Sequence, residues 1–139
     1  MSLDQRMDTL ARGVVSRHAR HADELSRARD QATVLHGKVV AAIDRFNGAV
    51  AAAVPDLHVS VTPLRVDDKH LHALEFDLER GRHRAIVTIK SKGEVTLVGP
   101  FRAGKNEGPC RSFPFGEEAD LAEALGDFLE RFLEEATAP

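Results

Sequence analysis

From about Asp4 to Ala53 the chain has no proline, and its apolar or small residues recur at alternating steps of three and four. Met7, Ala11, Val14, His18, His21, Leu25, Ala28, Ala32, Leu35, Val39, Ala42, Phe46, Ala49 and Ala53 form a near-heptad stripe. Such a stripe marks one face of a helix. At 1.5 Å per residue, fifty helical residues would reach ~75 Å, more than a domain of this size spans. The helix must therefore bend, break or find a partner outside its own domain. Gly37 is the expected break point if the segment folds back as a helical hairpin.

Pro55 ends this segment, because proline cannot continue the hydrogen-bond ladder and restricts the residue before it. The period then changes to two. Leu57, Val59 and Val61 alternate with polar residues, as do Leu74, Phe76 and Leu78, then Ala85, Val87 and Ile89. Asp67-Asp68, Arg80-Gly81 and Lys92-Gly93 read as two-residue turns. These turns pair Val61 with Leu74, Leu74 with Val87, and Val87 with Val98, and on the opposite face Glu79 with Arg82 and Asp77 with Arg84. Charge and apolar pairing agree, and a one-residue slip would destroy both. A short strand is expected over Cys110 to Phe113.

A final helix is expected from about Glu117 to Glu135, with Leu121, Leu125, Phe128, Leu129, Phe132 and Leu133 on one face. The reading is an α+β fold. It has a long N-terminal helix over 1–53, then over 54–139 a four- to five-stranded antiparallel meander and an amphipathic helix packed on it, all in one domain. Leu125, Phe128, Leu129 and Phe132 are expected to cover Val59, Leu74, Phe76 and Val87. In the order of its elements alone, the chain resembles small dimeric nucleoid-associated proteins.

Charge narrows the functional classes. Residues 1–53 carry 8 Lys+Arg and 6 Asp+Glu, residues 54–116 carry 10 and 8, and residues 117–139 carry 1 and 8. The net −3 gives no polycation signature, and argues against nucleic acid as a partner. Cys110 is the single cysteine, so no intrachain disulfide forms. The first residues lack an apolar core of a signal peptide, and no apolar run approaches the ~18 residues of a membrane span, so the cytoplasm is the default compartment.

No motif forces a chemistry. Gly99 to Lys105 matches the first seven positions of a phosphate loop, but Asn106 replaces the Ser or Thr, and a strand rather than a helix is expected next. What survives is a cationic rim of Arg102, Lys105 and Arg111 for an anion. Seven histidines raise a metal reading. Neither the pair His18 and His21 nor the pair His70 and His72 belongs to a standard ligand motif, and two ligands do not make a zinc site, so no metal or other cofactor is assigned. Cys110 lacks the local signature of a nucleophile. His58, Asp77 and Arg84, with Ser60 and Glu75, are expected to align on the polar sheet face, which is also how a solvated sheet face looks.

The sequence thus favours a small self-associating interaction or adaptor module without catalysis. Its partner would be a second copy, joined along the long helix at Val14, His18, His21, Leu25, Ala28 and Ala32. With two histidines in it, such a seam should loosen in acid. The alternative is a module for a small ligand or anion, or an enzyme, with a pocket between the sheet and the helices or at the Gly99–Arg111 loop.

Overall fold

The computed structural model describes residues 1–67, 73–104, 108–114 and 118–139. Helix α1 runs unbroken from Leu3 to Ala51, so Gly37 does not divide it. Gly37 lies on the exposed side of the helix, where a glycine costs only ~1 kcal/mol of propensity. Ser2 caps the start: its hydroxyl accepts from the Gln5 amide at 3.2 Å, and the Gln5 side chain accepts from the Ser2 amide at 2.9 Å. This reciprocal pair satisfies two of the orphan donors of the first turn. The helix stops at Ala51, four residues before Pro55.

Among the described residues six strands follow: β1 (Ser60–Val61), β2 (Arg65–Val66), β3 (Ala73–Arg80), β4 (His83–Lys90), β5 (Glu94–Arg102) and β6 (Cys110–Pro114). They form one antiparallel sheet in the order β1-β3-β4-β5-β6, with β2 also paired to β3. The expected first strand is split in two, with Pro63 between the halves, since proline has no N–H for the ladder. Helix α2 (Glu118–Ala136) closes the chain. It has no basic residue in its last turn, and Arg80 reaches from β3 to donate to the Ala136 carbonyl at 2.8 Å.

The strand register departs from the expected one, and two glycines explain how. In the β3–β4 hairpin Arg80 pairs with His83, so the turn residues are Gly81 and Arg82, with Gly81 at φ 57° in the first position. Glu79 therefore meets Arg84, Asp77 meets Ile86, and Leu74 meets Ile89. This is a slip of two residues, which preserves the faces. In the β4–β5 hairpin Lys90 pairs with Glu94 and the loop has three residues, closing on Gly93 at φ 89°. A three-residue loop with a left-handed third residue is a common hairpin form. It places Leu97, not Val98, opposite Val87, and Val98 falls on the other face. At the sheet edge Val61 pairs with Leu78 instead of Leu74.

Both helices cover the same sheet face. Helix α1 packs on β1, β3 and β4, and α2 packs on β4, β5 and β6. The C-terminal helix thus covers only part of the face expected for it, and α1 holds the rest. The core joins Leu35, Val39 and Ile43 of α1 to Phe76, Leu78 and Val87 of the sheet and to Phe128 and Phe132 of α2. Ile43, not Ala42, is the buried position, because a 3.6-residue turn drifts away from a strict seven-residue repeat.

Asn47 fixes the sheet edge to the helix. Its amide nitrogen donates to the Val59 carbonyl at 2.9 Å, and its amide oxygen accepts from the Val59 N–H at 3.0 Å. One side chain thereby pairs with both backbone groups of Val59, just ahead of β1. Asn47→Ala should lower stability by ~1–3 kcal/mol, because both backbone groups lose their partner in a half-buried place. Denaturant unfolding measures this; an unchanged midpoint would show that the clamp contributes nothing.

Candidate self-association surface

The buried positions of α1 begin at Ala28 and end at Ile43, with Leu25 and Phe46 half-buried at the two ends. From Leu3 to Val15 the large apolar side chains are exposed: Leu3 69%, Met7 50%, Leu10 55%, Val14 38% and Val15 69%. Residues Leu3 to Arg20 thus project beyond the domain as an arm of ~27 Å. The arm stays helical because it extends a helix already nucleated on the sheet, and elongation costs far less than nucleation.

The arm carries the same stripe as the covered half. At about 100° per residue, Leu3, Met7, Leu10 and Val14 fall within the ~80° arc that holds Ala28, Ala32, Leu35, Val39, Ile43 and Phe46. Where the helix meets the sheet, that arc is core. Along the arm, the same arc points to the sheet's side of the helix but lies beyond the end of the sheet, with no cover from the described residues.

The structure separates the residues expected in the seam. Val14 and His18 are exposed on the arm, and His21 is half-buried near its base. Ala28 and Ala32 are 2% and 0% exposed, so they belong to the chain's own core and are not available to a second copy. Ala28 shares a cleft with Ser91 and Gly93 of the β4–β5 turn. Its small side chain admits the sheet where a neighbouring helix was expected. Leu25 packs against the core rather than standing exposed.

The other candidate groups are not brought together. Arg102 ends β5 opposite His83, whereas Arg111 pairs with Leu97 five residues back along the same strand, ~17 Å away. Arg111 lies over the Phe113 ring at 5.2 Å and lines a cleft of about 120 Å³ with Asp127 and Arg131. Arg111 also lines an open cleft of about 420 Å³ with Asp120, Glu123 and Asp127, whose carboxylates repel an anion. Lys105, His70 and His72 lie outside the described residues. The phosphate-loop match begins inside strand β5, and Cys110, exposed, opens strand β6.

On the polar sheet face Asp77 does not meet Arg84. Arg65 takes it instead, at 2.8 Å, and holds Glu75 at 3.0 Å. Partial burial works against the Arg65 charge, but hydrogen bonds and charge from Asp77 and Glu75 outweigh it and raise the guanidinium pKa. Arg84 stands 3.7 Å from Glu79, and His58 precedes β1. The expected constellation is therefore a set of ion pairs, with its carboxylates already engaged.

Sequence reasoning passed over Arg65, Asn47 and His36. His36 lies between layers, its Nε2 2.9 Å from the Thr62 carbonyl and its ring edge-on to Phe76 at 4.8 Å. His36 and Asn47 share one flank of the stripe, about 80–100° from Ala28, and polar residues recurring on a stripe's flank were the available signal.

One more concave surface lies between the helices. Val34, Leu35 and Lys38 of α1 and Leu121 and Leu125 of α2 line an open groove of about 460 Å³. Among the described residues no group of three or more His, Cys, Asp or Glu is placed to hold a metal ion, and no helix is long and apolar enough to cross a membrane. No family model, curated protein or solved structure matches the chain, so the likeness of element order carries no argument about partners.

Proposed function

We propose that this protein is a self-associating interaction module, in which two copies pair through the exposed N-terminal halves of α1. The observation that supports this reading is the continuation of the apolar stripe past the end of its cover. A solvated helix face needs no Leu3, Met7, Leu10 and Val14 in the phase of a core. Catalysis plays no part in this reading; on the sheet face Glu75 and Asp77 are engaged in ion pairs with Arg65.

Magnitudes set the strength of the pair. Four half-exposed apolar side chains per copy contribute ~1 kcal/mol each on burial, or ~8 kcal/mol for two copies. Association costs ~4–15 kcal/mol in lost freedom. At the low end of that cost ~4 kcal/mol remains, so the dimer is weak, with a dissociation constant of ~1 mM. Sedimentation velocity between ~1 μM and ~1 mM should show the average mass rise from that of one chain toward that of two. A single-chain mass throughout that range would contradict the reading.

The α1–α2 groove favours a second reading, a module that binds an apolar ligand, since its volume lies within the range of small-molecule sites. A chain that stays monomeric and binds a hydrophobic dye displaceable by Val34→Asp would support that reading over the first.

A further inference from the structure

We infer that the two arms pair antiparallel, with the first turn of each α1 beside the other copy's sheet. This rests on the self-association reading above and adds the orientation that the fold allows.

The sheet sits on the same arc of α1 that the arm would use to meet a partner. A helix seam holds two axes ~8–10 Å apart. If the two α1 helices ran parallel with their stripes facing, both sheets would have to occupy the space between the axes from Leu25 onward. Two sheets between two helices require ~30 Å, since packed layers lie ~10 Å apart. Axes crossing at ~20° do not diverge that far over the length of α1, and a steeper crossing would bury only one point of the arm. A parallel pair therefore cannot bury the stripe from Leu3 to Val14.

The antiparallel pair has no such conflict. Each helix runs away from the other copy's domain, and the first turn of each α1, capped by Ser2, lies just short of the place where the other sheet begins. In this register Leu10 lies beside Val14 of the other copy, Met7 beside its His18, and Leu3 beside its His21. Every large apolar residue of the stripe meets another side chain of the stripe. The β4–β5 turn, Ser91–Gly93, then stands next to the incoming start of α1, because this turn flanks Glu24 and Ala28. The histidines of the two copies lie more than ~15 Å apart along the seam, so no four-imidazole metal site forms.

Spin-label distances test the orientation. In a Cys110→Ser background, which removes the exposed native thiol, Ala11→Cys and Ala22→Cys are each labelled and measured by pulsed electron resonance at high protein concentration. Position 11 lies beside the two-fold axis, so its two labels should be close in any facing pair. Position 22 lies about ten residues from the axis, so its labels should be ~30 Å apart in the antiparallel pair. A short distance at both positions would overturn the antiparallel orientation while leaving self-association standing. No short distance at position 11 would overturn the seam, and both readings with it.

Discussion

Phe132→Ala should destabilise the protein by ~3–5 kcal/mol, enough to leave a domain of this size close to unfolded at room temperature. Phe132 is wholly buried, on the face of α2 that meets the sheet. Removing its ring leaves a cavity that the surrounding core cannot close without shifting, because both helices are already seated on one sheet face. Phe128, 8% exposed, should lose less, since solvent can enter the gap. Equilibrium unfolding in urea measures both. A loss under about 1 kcal/mol at Phe132 would show that α2 does not form part of the core.

Leu10→Glu should do the opposite: it should leave folding unchanged and weaken self-association ~100-fold or more. Leu10 is 55% exposed in the single chain, and Glu and Leu have similar helix propensity, so the folding change should stay within ~0.5 kcal/mol. In the pair the substitution sets two carboxylates into an apolar seam, one from each copy. Burying unpaired charge costs several kcal/mol, and ~2.7 kcal/mol already corresponds to 100-fold. Leu25→Glu cannot serve the same purpose. Leu25 packs against the core, so its replacement would damage folding and association together. A Leu10→Glu protein that associates like the unaltered chain would place the seam elsewhere.

The fold class was readable because periodicity survives local error. Faces in the sheet follow a period of two, so β3 and β4 kept Leu74, Phe76 and Val87 on one side although the hairpin slipped by two residues. Register was not readable from turn composition alone. Gly81 occupies the first turn position and Gly93 the third, and the choice depends on how each strand pair twists. The six-stranded sheet also needed the small strand Arg65–Val66, whose two residues carry no alternation to read.

The apolar stripe of α1 was legible in the sequence, but the point at which its cover ends was not. A helix that enters a core keeps one apolar phase along its length, so nothing in the stripe marks where the cover ends. Ala28 and Ala32 signal close approach by something; sequence alone does not tell a sheet from a second helix. Leu3 and Leu10 were missed because a strict heptad count selects Ala11 and stops at Met7. The real helix drifts from that count, as it does again at Ile43. Asn47 and His36 act through backbone groups of residues 12 and 26 positions away, a relation that no local pattern encodes.

Amide hydrogen exchange followed residue by residue as a function of protein concentration tests self-association through the arm most directly. In dilute solution the amides from Leu3 to Arg20 lie on the exposed arm and should exchange fast, whereas those of β3, β4 and β5 should be protected. Raising the concentration toward ~1 mM should slow exchange along the arm, on the side of Leu3, Met7, Leu10 and Val14 most of all, and leave the sheet unaltered. Arm amides that exchange at one rate at every concentration would contradict the account.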